Sequence, residues 1–310
     1  MKRFIIKRVL LGLFTLAVIA TVTFFLINLA PGDPIAAKIR QLPDANKEII
    51  MVKYGLDKPV TTRYVMYMKN LVQGDLGTSF VFPGRSVKQT IVDNAPVSAR
   101  IAGLALVIQI CIGLFLGVVA ALGRERIQDQ SIRVMVVLGI CIPNFVFAAL
   151  LQYFIAFKFK LTPVFGWGEP IHYVLPVMAL TIGGLAGYTK FMRNSTIGVM
   201  NEDYIVTAKA KGVSKVRLVR KHILRNAFIP ILTMIGSSLA GLFGGSIILE
   251  AFFSIPGLGS YFVKAVNDSD YSMIMGQVIF FAAIYILILI LIDILYGVVD
   301  PRIRVAKGKN

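Results

Sequence analysis

The chain has 310 residues, of which 56% are hydrophobic and only 16% are charged, and its mean hydropathy is +0.75. Soluble globular domains carry about 25% charged residues, so this composition excludes an ordinary soluble domain and indicates a membrane protein. The chain has 33 Lys and Arg against 16 Asp and Glu, a net charge of +17. Such a balance is typical either of nucleic-acid binding or of basic loops held at the cytoplasmic face of a membrane.

Apolar runs long enough to cross a bilayer recur along the chain. A spanning helix needs roughly 20 mostly apolar residues. Six stretches reach this length: Val9–Leu29, Ile101–Leu122, Val134–Phe157, Tyr173–Met192, Phe228–Leu249 and Met273–Val298. The first is longer than the core of a signal peptide and no A-x-A-like site follows it, so we expect a retained anchor. The third contains Pro143, which should kink it. We therefore predict an all-α membrane protein with six transmembrane helices.

The distribution of basic residues orients these helices. Twenty of the Lys and Arg residues lie in the N-terminal segment, in 123–133, in 190–225 and in the C-terminal tail. Because cytoplasmic loops are enriched in Lys and Arg, we expect both termini in the cytoplasm and residues 31–100 as a large external loop. The basic residues lack the interleaved aromatic residues of a stacking platform, which argues against nucleic acid as a partner.

The sequence contains no motif for enzymatic chemistry. It lacks the phosphate-binding loop G-x-x-x-x-G-K-[ST] and the motifs H-E-x-x-H, C-x-x-C and G-x-S-x-G. Two cysteines and two histidines are too few for a zinc site or a disulfide scaffold. Asp293 is the only carboxylate within a predicted span, and it has no obvious partner. We therefore expect a transport or channel subunit without catalytic residues and without a metal site.

Residues 201–226 form the most elaborate of the predicted cytoplasmic loops. Asp203 is a good helix-start residue, and Ile205 and Ala208 follow at helical spacing. Gly212 interrupts this helix, and Ser214 can cap a second helix that leads into the fifth span. The loop is either an amphipathic connector at the membrane surface or a docking element, and its pattern alone leaves both possibilities open.

Residues 208–230, A-K-A-K-G-x(9)-H-x-L-R-N-A-x-x-P, resemble the cytoplasmic EAA loop of ABC-transporter permeases in its peptide-importer form. Further motifs of this kind are L-A-P-G-D-P (29–34), Y-G-L-D-K-P (54–59), G-D-L-G-T-S-F (74–80), E-A-F-F-S-I-P-G-L-G (250–259), D-Y-S-M-I-M-G (270–276) and D-I-L-Y-G-V-V-D-P-R-I (293–303). In this order the motifs resemble the B-type permease subunit of the dipeptide/oligopeptide/nickel importer family. The oligopeptide branch fits best.

In that family the first short helix of the loop is a coupling helix, which sits in a cleft of the ATPase subunit and transmits its closure to the spans. The resemblance implies that the coupling residues of this chain are Asp203, Tyr204, Ala208, Lys209, Ala210, Lys211, Gly212, Arg217 and His222. The small alanines would let the helix settle into the cleft. The lysines and the arginine would pair with acidic residues of the ATPase, or, as the alternative, face lipid.

Two further sets of residues are candidates for the transport pathway. The resemblance places an external gate and part of a substrate vestibule at Glu250, Phe253, Pro256, Gly257 and Gly259. A tight turn that only connects two spans is the alternative. Three polar residues lie within predicted spans: Gln109, Asn144 and Gln152. They either line the pathway or make interhelical hydrogen bonds.

The resemblance implies a type I ABC importer permease fold and the following organisation. It comprises an N-terminal stub with the first span (1–30), an external loop or cap (31–100), a five-helix permease core (101–298) with the coupling loop 201–226, and a cytoplasmic tail (299–310). Its setting would be a bacterial-type plasma membrane.

The resemblance also implies the partners of the chain. They are a homologous second permease subunit, two ABC ATPase subunits, an extracytoplasmic peptide-binding protein, the peptide substrate and membrane lipid. The chain itself would be no enzyme and bind no cofactor, because ATP and Mg²⁺ would be held by the ATPases. A dipeptide or nickel-chelate permease is the alternative within the family, and an autonomous ion-coupled transporter is the alternative outside it.

Overall fold

The computed structural model of the chain describes residues 2–29, 51, 55, 57–79, 81–82 and 84–299. In this part of the chain the regular structure is helical, and the one β-pairing is an isolated antiparallel bridge between Thr78 and Ser86. The helices are α1 (Lys2–Asn28), α2 (Val60–Val72), α3 (Val87–Leu122), α4 (Ile127–Cys141), α5 (Asn144–Leu151), α6 (Ile171–Met200), α7 (Asp203–Ala210), α8 (Lys215–Arg217), α9 (Leu224–Phe252), α10 (Leu258–Asn267) and α11 (Tyr271–Val299). The π-helical segments Gln152–Lys158 and Leu218–Ile223 follow α5 and α8.

Four of the six predicted spans are confirmed as helices that are long and apolar enough to cross a membrane. These helices are Ile5–Asn28, Val87–Leu122, Ile171–Met200 and Tyr271–Ile294. A fifth crossing is possible if the bent pair of α4 and the α5 segment forms one span. The remaining predicted span, Phe228–Leu249, falls within α9. The count of six transmembrane helices stays a prediction.

The predicted kink at Pro143 is a complete break of the helix. Helix α4 ends at Cys141, and α5 begins at Asn144 with its axis turned by 104°. Ile142 and Pro143 have ψ values of 118° and 141°. A residue that precedes proline is driven out of the helical region by the proline ring, so the break follows directly from the sequence Ile142-Pro143.

Helix α3 begins at Val87, well before the predicted start of its span at Ile101. Its first turns carry polar residues such as Lys88, Gln89 and Asp93. The length of an apolar run marks only the part of a helix that can lie in the hydrocarbon core of a membrane, whereas the backbone remains helical beyond that part. Residues 31–50 of the predicted external loop and 300–310 of the predicted tail lie outside the described residues, and the four-part organisation stays a prediction.

The chain divides into two compact units, and the first contains residues 1–98 and 256–310. In it, α1 packs along α11, and a Cβ on Gly12 would lie 2.7 Å from Ile286 Cγ2. Arg8 Nη1 lies 3.0 Å from Asp293 Oδ2, so the carboxylate that had no obvious partner in the sequence is paired with the first helix. A small buried core of this unit contains Val87, Ile91, Leu258, Ala265 and Met273.

The second unit contains residues 99–255 and is organised around α6. Helix α6 packs against α4, α5 and α9. Glycines of α3 and α4 also approach it closely. A Cβ on Gly117 would lie 2.7 Å from the Thr189 carbonyl oxygen, and a Cβ on Gly139 would lie 3.0 Å from Ala186 Cβ. Gly113 and Gly117 have the G-x-x-x-G spacing with which membrane helices approach closely.

Candidate coupling surface

The predicted coupling loop consists of two helical pieces joined at a left-handed glycine. A two-residue turn after α6 leads into α7. At the other end of α7, Gly212 has φ +73°, a conformation that glycine adopts without steric cost. The Gly212 N–H donates to the Lys209 carbonyl at 3.0 Å, and the Val213 N–H donates to the Ala208 carbonyl at 3.2 Å. These two hydrogen bonds form a Schellman motif, so the predicted break at Gly212 is confirmed.

The second helical piece continues into the body of the unit. Ser214 is the N-cap residue of α8, as predicted by position, but within the described residues its hydroxyl makes no capping hydrogen bond. The short α8, the π-helical segment Leu218–Ile223 and α9 follow one another without a gap. The loop is therefore joined to α6 at one end and to α9 at the other.

The loop has a small hydrophobic core of its own. Ile205 and Ala208 of α7 are buried against Leu218 and Ile223 of the π-helical segment. The last residues of α6, Val199 and Met200, pack against the same cluster. Only 9% of Ala208 is exposed. Ala208 therefore lies on the inward face of α7 together with Ile205, and its predicted contact with a partner cleft stays a prediction.

The opposite face of α7 is exposed and contains the other predicted residues of this helix. Asp203, Tyr204, Lys209 and Ala210 are all exposed, as are Lys211 and Gly212 in the turn and Arg217 in α8. Two apolar residues that the sequence analysis did not select are also exposed: Val206 by 58% and Val216 by 69%. In the sequence, these two valines could have been noticed as apolar residues that do not share the helical spacing of Ile205 and Ala208. Single exposed apolar residues are common on protein surfaces, and these two share the exposed side of the loop with the predicted residues.

Asn226 of α9 ties the exposed face of α7 to the rest of the unit. Its side-chain Nδ2 donates to the Tyr204 hydroxyl at 3.1 Å and to the His222 carbonyl at 2.9 Å. The half-buried His222 therefore contributes its backbone to the loop rather than an exposed imidazole. Sequence analysis did not select Asn226, the last residue of the predicted loop, which lies in the first turn of α9.

The loop carries only positive charge over a long stretch. Seven Lys and Arg residues and no Asp or Glu occur in residues 204–249. A groove of about 490 Å³ beside α8 is lined by Ser214, Val216, Arg217, Arg220 and Lys221. Such a surface is complementary to an acidic protein surface. Among the described residues, no group of three His, Cys, Asp or Glu side chains could hold a metal ion.

The candidate gate residues fall on both sides of the turn after α9. Within the second unit, Glu250 and Phe253 are buried, and the Ile255 N–H donates to the Glu250 carbonyl at 2.8 Å. Within the first unit, Gly257 is the N-cap residue of α10, and it is buried together with Gly259, whereas Pro256 is exposed. The chain continues from this turn into the short helix α10. Its role as a gate stays a prediction.

The three polar residues within predicted spans contact their own chain. Gln109 is buried, and its Nε2 donates to the Leu180 carbonyl of α6 at 2.9 Å. Gln109 therefore makes the interhelical hydrogen bond that was the alternative, and a place along the pathway stays a prediction. Gln152 Nε2 donates to the Val164 carbonyl at 3.0 Å. The half-buried Asn144 lies at the break after Pro143, and a Cβ on Gly183 would lie 3.2 Å from its Oδ1.

Known proteins resemble the chain over nearly its whole length. The family "binding-protein-dependent transport system inner membrane component" matches residues 113–305, and its N-terminal counterpart matches residues 1–102. The dipeptide transport system permease protein DppB of Bacillus subtilis (strain 168) is 41% identical over 99% of this chain and 99% of its own length. The oligopeptide transport system permease protein OppB is 37% identical in Haemophilus influenzae and 35% identical in Escherichia coli K12, in both cases over 98% of this chain and 100% of the relative.

Solved structures share the fold. The MetNI methionine ABC transporter in an inward facing conformation matches 69% of this chain and 97% of its own chain with a TM-score of 0.58 at 17% identity. An amino acid ABC transporter solved with histidines matches 69% of this chain and 94% of its own with a TM-score of 0.52 at 18% identity. These likenesses show the fold alone. Together with the full-length sequence matches, they show that the chain belongs to the family of binding-protein-dependent transport system inner membrane components and is a multi-pass membrane permease of the dipeptide and oligopeptide ABC type.

Proposed function

We propose that this chain is a pore-forming subunit of an ATP-driven importer that takes up oligopeptides delivered by an extracytoplasmic binding protein. It pairs with a homologous second permease subunit and with two ATPase subunits. ATP and Mg²⁺ are bound by the ATPases, and this chain contributes no catalytic residue. The observation that carries the proposal is the coupling loop, a two-helix element with its own core and an exposed outer face that is basic from Lys209 onward.

The contacts of this loop support a mechanical role for α7. The exposed residues Val206 and Ala210 enter a cleft of the ATPase, and the surrounding lysines pair with acidic residues at its edge. Closure of the ATPase dimer on ATP displaces α7. Because Ile205 and Ala208 pack against the end of α6 and against the π-helical segment that leads into α9, the displacement is passed to both helices. The pore then opens to the outside and accepts a peptide, and hydrolysis resets it.

The similar proteins are named for peptides of different length, namely dipeptides and oligopeptides. The closing motif L-Y-G-x-x-D-P-R-I and Leu151-Gln152-Tyr153 resemble the oligopeptide branch of the family, and this resemblance supports oligopeptides as the substrate. The 41% identity to a dipeptide permease favours dipeptides as a second candidate. Uptake of labelled peptides of two to five residues by the reconstituted complex distinguishes the two. Oligopeptide transport predicts faster uptake of the longer peptides, and uptake of dipeptides alone would contradict it.

A substitution on the exposed face of α7 tests the docking proposal. Val206→Glu places a negative charge where a basic surface would meet an acidic partner, so the ATPases should no longer co-purify with the permease. Val65→Glu is the matched control, since Val65 of α2 is 63% exposed and lies in the predicted external loop. We expect wild-type co-purification from the control. Equal recovery of ATPases with both variants would contradict docking through α7.

A further inference from the structure

A buried ion pair joins α4 to α6 outside the coupling loop. Arg193 of α6 donates from Nε to Asp129 Oδ1 at 2.6 Å and from Nη2 to Asp129 Oδ2 at 2.8 Å. The Asp129 side chain is 0% exposed and the Arg193 side chain is 17% exposed. Two parallel hydrogen bonds between a guanidinium and a carboxylate fix the orientation of both groups as well as their distance. We call this pair the Asp129–Arg193 clamp.

The loop before α4 is shaped around the same carboxylate. The Glu125 N–H donates to Asp129 Oδ2 at 3.0 Å, and Glu125 itself has φ +66°. A left-handed conformation is uncommon for a residue other than glycine and persists where surrounding contacts hold it. Arg133 is a second cation at the site, but its Nε lies 3.8 Å from Asp129 Oδ1 and its side chain is 53% exposed. The clamp is therefore made by Arg193, with Arg133 as a peripheral charge.

The clamp lies where motion of the coupling loop would enter the helices. Arg193 is about two turns before the end of α6, and the final residues Val199 and Met200 pack into the core of the loop. Asp129 lies in the first turn of α4. At its other end α4 stops at the Pro143 break, after which the chain turns by 104°. The clamp thus connects the helix that leads to α7 with the helix that leads to the bend.

We propose that the Asp129–Arg193 clamp is the positioning link that makes α4 follow α6, so that displacement of α7 by the ATPase reaches the bent pair of α4 and α5. This inference rests on the proposed function of the loop. Arg193 and Asp129 are positioning residues and contact no substrate. Without the bidentate geometry, α6 moves and α4 does not follow it, so closure of the ATPase dimer on ATP no longer opens the pathway.

The test uses the complete complex of both permeases, the ATPases and the binding protein in liposomes. Arg193→Lys keeps the positive charge but loses the bidentate geometry. We expect assembly and basal ATPase activity within about twofold of wild type, whereas stimulation by peptide-loaded binding protein and peptide uptake fall about tenfold, equivalent to about 1.4 kcal/mol. Arg133→Lys is the matched control, with the same substitution against the same carboxylate, and should behave like wild type. Uptake per assembled complex equal to wild type in Arg193→Lys would overturn the clamp.

A second measurement covers the case in which Arg193→Lys does not assemble. Spin labels are placed at the exposed residues Gln130 of α4 and Asn194 of α6, after Cys111 and Cys141 are replaced by alanine. The distance between the labels should stay constant between the nucleotide-free and ATP-bound complexes, since the clamp moves the two helices as one. A change of several ångströms would overturn the clamp alone. The proposed function would fail separately, if the wild-type complex showed no peptide-dependent stimulation of its ATPase.

Discussion

Substitution of Gly212 tests whether the shape of the coupling loop matters for docking. Its φ of +73° costs an L-residue about 1–2 kcal/mol, and a Cβ there would meet no atom within 4 Å. The penalty is therefore backbone strain without a steric clash. Strain of this size changes an equilibrium by a factor of about 5–30. We expect docking of the ATPases to weaken in the order Gly212→Asn, Gly212→Ala, Gly212→Val, because asparagine tolerates this conformation best and a β-branched residue tolerates it least.

Gly74 supplies the control for this series. It has φ +77°, and a Cβ added to it, as at Gly212, would meet open space, but Gly74 follows α2 in the predicted external loop. Gly74→Val therefore introduces similar strain on the side of the membrane predicted to be external. The assay is co-purification of the ATPases and peptide uptake, normalised to the permease recovered from the membrane. Normal docking of Gly212→Val, or an equal loss of docking in Gly74→Val, would refute the reasoning.

Two further substitution pairs test the packing. Ala208→Leu should lower the thermal unfolding temperature of the purified permease, because overpacking a buried core costs about 1–3 kcal/mol. Ala210→Leu on the exposed face should leave that temperature unchanged and reduce ATPase binding. Equal thermal stability of the two variants would contradict the assigned faces of α7. Gly117→Ala should also destabilise the permease, since the added Cβ would lie 2.7 Å from the Thr189 carbonyl oxygen, whereas Gly103→Ala in the same helix finds open space. Identical unfolding curves for the two alanine variants would contradict the close approach of α3 and α6.

Apolar length and proline chemistry predicted much of the fold. Four predicted spans coincide with long apolar helices, and the break at Pro143 lies where the sequence placed a kink. The start of α3 at Val87 was missed because helical backbone extends beyond the apolar residues. The pairing of Asp293 with Arg8 was missed because the two residues are brought together by packing of the first helix against the last.

The coupling loop was predictable as a helix–glycine–helix element, but the sequence did not show which face of α7 points inward. The spacing of Ile205 and Ala208 defines one face of α7, and only the packing against Leu218 shows that this face points inward. The same limit applies to Gln109, whose polarity fits either a pathway or an interhelical hydrogen bond. The distance of 2.9 Å between Gln109 Nε2 and the Leu180 carbonyl oxygen shows that the hydrogen bond is formed. Long-range partners of this kind leave no signal in a single sequence.

Photo-crosslinking from α7 tests the central claim most directly. A photoreactive amino acid is introduced at Val206, and in a parallel variant at Val65, and the complete complex is irradiated with and without ATP. Coupling through α7 predicts a covalent adduct with an ATPase subunit from position 206, a yield that changes with ATP, and no such adduct from position 65. Irradiation of an assembled complex that gives no ATPase adduct from position 206 would contradict it.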